Sequence, residues 1–387
     1  MIPYGRQDIS DQDIQAVVDI LRSDFLTQGP TVPAFERALS NLCDADYAVA
    51  FTNATSALHT ACLALGVTQG DIVWTSPITF VASANCALYC GASIDFVDID
   101  KKSYNMSVEI LAQKLEYARL KGKLPKVVIP VHLAGQSCDM KEIKRLSDVY
   151  GFKIIEDASH AVGGKYMGEA IGSCRYSDIT IFSFHPVKII TTGDGGMALT
   201  NDMGLFGKMD RLRTHGITNK ASEMSSHTSE QIWNYEQVDL GYNFRMTDIQ
   251  AALGLSQLEK LEEFVGRRNS IAEYYSQQLV GLPIVLPSID IDCYSSYHLY
   301  IIRLNLDLAN IGHRDAYQEM RRQGILVNLH YIPVYLQPYY QKMGFSRGYC
   351  PEAESYFSEA ISLPMYPSLT KDQLSKVVST LTKICLP

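Results

Sequence analysis

The chain's pattern predicts an α/β fold: a central, mostly parallel sheet sandwiched by helices, with a smaller α+β unit at the C-terminus. Three observations carry this. Between Tyr47 and Thr200, short β-branched or aromatic runs alternate with amphipathic helical stretches, the order that builds a parallel sheet. Several of these runs end directly in polar residues, as in IIED at Ile154–Asp157, and ligands of open α/β sheets sit beyond the carboxyl ends of strands. Beyond Pro287 the pattern changes to antiparallel-type strands, Tyr297–Leu304 and Gly324–Leu329, with helices near Arg314–Arg322 and Thr370–Lys383. A length of 387 residues suits two domains, divided here as 1–246 and 247–387.

Composition narrows the functional classes. A net charge of −8 without a basic stripe argues against nucleic acid as a partner, and a phosphate-bearing ligand must be met by local donors. The N-terminus MIPYGRQDIS has no charged-then-apolar signal, and no apolar run approaches the roughly 18 residues of a membrane span. The nine cysteines are scattered with no CxxC pair, which fits reduced thiols in a cytoplasmic protein better than disulfides or a zinc site. No metal centre and no membrane contact are expected.

In chain order, Ser10 and Asp13 form a capping box that opens a helix to about Arg22, with Ile14, Val17, Val18 and Leu21 on one face. The loop Ser23–Pro30 leads into a second helix through Phe35, Leu39 and Leu42. Tyr47–Thr52 is a strand, and Asn53-Ala54-Thr55-Ser56 starts a helix whose free amides and hydroxyls make a ready anion site, or an ordinary N-cap. Ile72–Phe80 is read as a strand, with a helix from about Val81. Phe80 at that junction is placed either to stack on a ring or to fill the core. Strands follow at Ser93–Val97, Lys126–His132 and Phe152–Glu156; His132 is given no role. Leu205–His215 is helical, 216–231 is a polar, Ser- and Thr-rich flap, and Thr247 with Gln250 caps one long helix to about Leu279 that bridges to the second domain.

Two stretches carry chemistry. In DITIFSFHPVKIITTGDGGMALTN (Asp178–Asn201) a strand is stopped by Pro186, which lacks an amide hydrogen, and Lys188 follows among apolar residues beside a glycine turn. Burial disfavours the ammonium form and frees the amine to attack a carbonyl; a surface lysine at a hairpin corner would look the same. In FKIIEDASHAVGG (Phe152–Gly164) an apolar strand runs into Asp157, one strand's worth of chain before the Lys188 strand. A lysine and a strand-end carboxylate facing one site suit pyridoxal phosphate. The lysine holds the cofactor as a Schiff base, and the acid keeps the pyridine nitrogen protonated so that the ring accepts electrons.

EDASHA (Glu156–Ala161), SFHPVKIITTGDGG (Ser183–Gly196) and GYNFRMTDIQAALG (Gly241–Gly254) resemble the DegT/DnrJ/EryC1/StrS family of sugar aminotransferases, and the likeness runs from LTQGP (Leu26–Pro30) to HYIPVY (His330–Tyr335). This resemblance implies a fold-type I, pyridoxal 5'-phosphate-dependent enzyme with the cofactor covalent on Lys188 and Asp157 at its nitrogen. It implies cofactor contacts from Ala54, Thr55, Ser56, Phe80, His160, Ser183 and, across a homodimer with shared active sites, Asn243. It also implies substrate contacts from Tyr4, Asp24, Phe25, Leu26, Thr27, Ala54, Ser183, Asn243, Arg245, Asn328, His330 and Tyr331. The implied reaction moves an amino group from glutamate to C4 of a UDP-linked 4-keto-6-deoxy-N-acetyl hexosamine; a different keto sugar is the nearest rival. A family dehydratase would lack the lysine, a nicotinamide oxidoreductase would need a GxGxxG turn that is absent, and a non-catalytic binding module would leave the Lys188–Asp157 pair unexplained. Asp194 departs from the pattern, where relatives often carry Glu, and keeps its charge.

Overall fold

A computed structural model describes residues 1–220, 222–224 and 233–386. In chain order the elements that position the site are β1 (Ile2–Pro3), α1 (Asp11–Leu21), α2 (Thr31–Cys43), β2 (Tyr47–Phe51), α3 (Ala54–Ala64), β3 (Ile72–Thr75), α4 (Ala82–Tyr89), β4 (Ser93–Phe96), α5 (Val108–Lys121), β5 (Val127–Ile129), α6 (Met140–Tyr150) and β6 (Lys153–Asp157). Two short strands, β7 (Lys165–Tyr166) and β8 (Glu169–Ala170), precede β9 (Ile179–Ser183), β10 (Gly196–Thr200), α7 (Met203–Arg213), α8 (Asp248–Leu258) and α9 (Leu261–Leu279).

Seven strands form the main sheet in the order β2-β10-β9-β6-β5-β3-β4. The ladders from β9 through β6, β5 and β3 to β4 are parallel, whereas β10 pairs antiparallel with both β2 and β9. The β9 and β10 strands are buried along their whole length, as apolar runs covered on both faces must be. This is the mostly parallel α/β sheet expected from the sequence. A second unit has a three-stranded antiparallel sheet of Ile284–Val285, Tyr300–Leu304 and Ala360–Leu363, packed with α9 and the helix Lys371–Cys385 around its own apolar cluster.

Several expectations change. The strand read at Ile72–Phe80 ends at Thr75, because Pro77 cannot donate to a ladder and SPITF becomes the turn into α4. The β9 strand, expected to run to His185, stops at Ser183, and Lys188 stands in the following loop as read. The long helix expected from Thr247 is two: the capping box forms at Thr247 and Gln250, but Lys260 leaves helical geometry (φ −101°, ψ 3°) between α8 and α9. Its Nζ turns instead to Asp13 and Ser10 of the α1 cap, at 2.5 and 3.0 Å. The strand expected over Gly324–Leu329 shortens to Ile325–Leu326 and pairs in parallel with β1, so the first residues of the chain pack with the C-terminal cluster rather than with the main sheet. On α1 the capping box forms as read, yet Ile14 and Leu21 stay exposed; the buried residue is Asp13, which faces Ser256 and Gln257 of α8. Most of the flap expected at 216–231 lies outside the described residues. His132 is a satisfied core residue, its Nε2 2.7 Å from Glu156 and its Nδ1 accepting from the Cys138 amide. No described helix is long and apolar enough to cross a membrane.

Candidate active site

The carboxyl ends of β6 and β9 and the N-terminus of α3 open into one cavity of about 520 Å³. Asp157, the last residue of β6, is 4% exposed at its floor. A buried carboxylate is tolerated only when its oxygens are bonded, and here both are. Ser83 Oγ of α4 donates to Oδ2 at 2.6 Å, and Ser159 donates to Oδ1 through its amide (3.1 Å) and hydroxyl (2.5 Å). The Ser159 pair is an Asx turn legible in DAS; Ser83, 74 residues away, carried no signal in the sequence.

Lys188 stands in the loop after β9, which is closed by its own hydrogen bonds. The Lys188 amide donates to His185 O (2.9 Å), Thr192 N and Thr191 Oγ1 reach Phe184 O (3.1 and 2.9 Å), and Gly193 takes a left-handed φ of +81° that completes the turn. Gln250 Nε2 of α8 bonds Asp194 O at 2.7 Å and ties the loop to that helix. Among the described residues no group bonds Lys188 Nζ. Burial lowers its pKa to about 8, against the opposing pull of the Asp157 carboxylate. An unpartnered, partly neutral amine facing a fully bonded acid is a reactive arrangement rather than a structural ion pair.

The α3 N-terminus forms a cradle beside them. Asn53 caps the helix by accepting from Ser56 N (2.8 Å), and the Ala54 and Thr55 amides of the first turn have no intrahelical acceptor. Gly196, at the start of β10, runs directly beneath: a Cβ there would lie 2.5 Å from Ala54 N and 2.6 Å from its Cα. Only glycine lets the sheet approach the cradle so closely. Ala54, Thr55 and Ser183 line the cavity, as expected. Ser56 does not, because its hydroxyl is spent on Asn53 O at 2.7 Å.

Tyr4, Phe80, His160, Asn328, His330 and Tyr331 also line the cavity. Phe80 is 59% exposed there, with its ring 6.5 Å from that of Tyr331. His160 Nδ1 accepts from the Ala134 amide (3.3 Å), so its proton sits on Nε2, which donates to Tyr331 Oη (3.1 Å). Burial, and then the Lys188 charge, push His160 well below the usual histidine range; the same causes bring His330 down to about 3. His330 Nδ1 lies 2.8 Å from Ser362 Oγ, and Nε2 lies 3.2 Å from Asn328 Nδ2.

Besides Ser56, six expected residues are not brought to this cavity within the one chain. Asp24, Phe25, Leu26 and Thr27 are exposed, held away because Asp248 accepts from Gly29 N and Thr31 N (2.8 Å each) and its own amide bonds Leu26 O. Asn243 is bridged to Thr214, and Arg245 lines a separate surface cavity of about 450 Å³ with Gln28, Arg211 and Tyr235. Asp194 and His298 line the main cavity without having been assigned there.

These residues fit pyridoxal phosphate: an amine to hold it, a bonded acid for its ring nitrogen, first-turn amides over a glycine for its phosphate, and an exposed aromatic beside them. Comparison with known proteins agrees. Residues 7–382 match the DegT/DnrJ/EryC1/StrS aminotransferase family. The chain is 36% identical over 388 residues to the UDP-4-amino-4,6-dideoxy-N-acetyl-β-L-altrosamine transaminase of Campylobacter jejuni, covering 99% of this chain and 97% of that one. Among solved structures, Helicobacter pylori PseC, an aminotransferase involved in the biosynthesis of pseudoaminic acid, superposes with a TM-score of 0.90 at 29% identity over 99% of each chain. The PLP form of Streptococcus pneumoniae Spr1654 gives 0.88 at 30% identity, over 99% of this chain and 98% of that one.

Proposed function

The chain belongs to the DegT/DnrJ/EryC1/StrS aminotransferase family, and from that premise we propose that it aminates C4 of a UDP-linked 4-keto-6-deoxy-N-acetyl hexosamine with glutamate as donor. It is a pyridoxal-phosphate-dependent sugar aminotransferase. The finer reading makes it a UDP-4-amino-4,6-dideoxy-N-acetyl-β-L-altrosamine transaminase of pseudaminic acid synthesis in the cytoplasm. Support for the sugar is the likeness to the Campylobacter and Helicobacter proteins along nearly the full length of each. The observation that carries the chemistry is the unpartnered Lys188 amine opposite a buried Asp157 bonded at both oxygens.

Pyridoxal phosphate, when bound, supplies an aldehyde carbon that amines condense with and a ring that takes up electrons. Lys188 is the residue that binds it. With a pKa near 8, about a tenth of the amine is neutral at pH 7, against less than one part in a thousand for an ordinary lysine. Asp157 holds a proton on the ring nitrogen. Unit charges about 3 Å apart at an effective dielectric near 20 attract by roughly 5 kcal/mol before desolvation, enough to matter at this buried site. Thr55, Ser183 and the first-turn amides would hold its phosphate, and Phe80 would cover its ring. Lys188 Nζ, as a free amine, would move the proton at the donor's Cα and return one at C4 of the sugar. Tyr4, Asn328, His330 and Tyr331 face the sugar nucleotide. Asn243, Arg245 and the Asp24–Thr27 loop serve the site of a second subunit.

Two measurements test this. Borohydride treatment of the loaded enzyme should leave cofactor mass on the peptide containing Lys188, and label on another lysine would refute the assignment. Offered a panel of UDP-linked 4-keto sugars with glutamate, the enzyme should aminate the 4-keto-6-deoxy-N-acetyl hexosamine with the highest kcat/KM; a better substrate in the panel would move the sugar assignment to it.

A further inference from the structure

Two histidines stand side by side in the Lys188 cavity, and only His160 has both ring nitrogens bonded. His298 is 3% exposed, lines the cavity, and packs its ring on that of His160 with centroids 4.3 Å apart and planes tilted by 49°. Its Nδ1 is closed off from solvent and has no hydrogen-bond partner among the described residues. That leaves Nε2 as the nitrogen able to reach the cavity.

Charge and backbone both hold this ring in one state. Burial, then His160, Lys188, Arg268 and His330, all disfavour its protonated form, so the imidazole is neutral and has a single N–H. On Nδ1 that proton would be a buried donor with nothing to bond, a rare and costly condition. On Nε2 it faces the cavity and leaves only a lone pair behind. Arg268 of α9, fully buried, anchors the segment: its Nη1 donates to Tyr297 O (3.2 Å), His298 O (3.3 Å) and Met365 O (3.0 Å). The backbone on either side of the His298 side chain is therefore pinned to the helix that joins the two units.

We propose that His298 is a ligand-facing donor of this site, its Nε2–H meeting an anionic oxygen of the bound ligand beside His160. This rests on the reading of the cavity as the pyridoxal phosphate site. Two oxygens have the required chemistry, the phenolic oxygen of the cofactor ring and the carboxylate of the amino donor. Of the groups around it, Lys188 and Arg268 are donors and both ring nitrogens of His160 and His330 are bonded, so among the described residues no protein group takes the N–H of His298.

The test compares loaded wild-type enzyme with His298→Phe, which keeps the ring packing and removes the donor, and His298→Gln, which keeps an N–H at similar reach. Cofactor mass trapped on the Lys188 peptide is checked first; its absence would refute the site reading itself rather than the role of His298. If the phenolic oxygen is the partner, His298→Phe raises the pH midpoint of the bound cofactor's visible absorbance by about one unit, because an unsolvated phenolate holds the neighbouring proton more tightly. If the donor carboxylate is the partner, the midpoint stays and the KM for glutamate rises about tenfold with kcat held. In either case His298→Gln returns most of the change. A folded Phe variant with wild-type midpoint and wild-type KM overturns the proposal. Should that variant fail to fold, His298→Asn, whose amide stops short of the Nε2 position, gives the same comparison.

Discussion

The environment of Asp157 separates a tuning acid from a helix cap. Both oxygens are met by serine donors and the group is almost fully buried, so its charge is held in place before any ligand arrives. Asp157→Asn should still bind cofactor, since Lys188 and the phosphate cradle remain. It should transaminate at least about 100-fold more slowly, as losing about 3 kcal/mol of stabilisation of the ring charge implies; single-turnover absorbance change with glutamate measures this, and near-normal rates would remove Asp157 from the mechanism. For Lys188 the sign is set by burial. Its folded pKa of about 8 lies below the ordinary lysine value of 10.5, so cofactor uptake by stripped enzyme should accelerate as pH rises toward 8 and level off above it. A rate that levels off only near pH 10 would contradict the burial argument. At this scale the sequence was informative where a residue's neighbours in the chain make its environment, as in DAS or HPVK. Nothing in it announced Ser83, which reaches Asp157 from α4, or His298, which reaches the cavity from the segment pinned by Arg268.

At the scale of elements, the cradle at the α3 N-terminus depends on how closely β10 passes beneath it. A methyl group at Gly196 would sit 2.5 Å from a backbone nitrogen that cannot rotate away, so Gly196→Ala must lift the first turn of α3. We expect pyridoxal phosphate affinity to fall about tenfold or more, with smaller loss of stability, in an equilibrium titration. The junction of α1 with α8 and α9 makes a different prediction. Burial would push the Asp13 carboxyl up, but Lys260, Ser10, Ser256 and Gln257 bring it down to about 2, from 3.8. A depressed carboxylate contributes stability that is complete above pH 3.8 and lost as pH falls through about 2. Asp13→Asn should therefore lower stability at pH 7 by about 1–3 kcal/mol and flatten the acid limb between pH 4 and 2, measured by denaturant unfolding at fixed protein concentration. The same junction explains why the helix read from Thr247 to Leu279 breaks. Periodicity saw two apolar stripes in phase, whereas the break comes from Lys260 turning to an acid nearly 250 residues away.

For the whole molecule, one chain leaves Asn243, Arg245 and the Asp24–Thr27 loop outside the Lys188 cavity. Arg245 lines a separate surface cavity with Gln28 and Tyr235, Asn243 is bridged to Thr214 of the same cavity, and Phe25, Leu26, Tyr235 and Leu240 leave apolar side chains exposed. An interface between two copies would cover such a surface and carry those residues into the neighbouring cavity. If sites are shared in this way, Lys188→Ala and Asn243→Ala subunits, each inactive alone, should recover activity when unfolded and refolded together. With random pairing, half the dimers are mixed and one site of each is intact, giving about a quarter of wild-type activity. No recovery would mean that each chain completes its own site.

The sequence by itself determined the sheet class, the loop bearing Lys188, the acid at the end of its strand and the family, because these follow from local patterns: β-branched runs, a proline stop, glycine turns and three ordered motifs. Tertiary structure decided that the N-terminal strand belongs with the C-terminal cluster and that Arg268 presents His298 to the cavity. Those outcomes depend on which partners a side chain or strand edge finds far along the chain. Hydrogen-bond satisfaction in a buried site is a property of the assembled neighbourhood, and no window of sequence contains it.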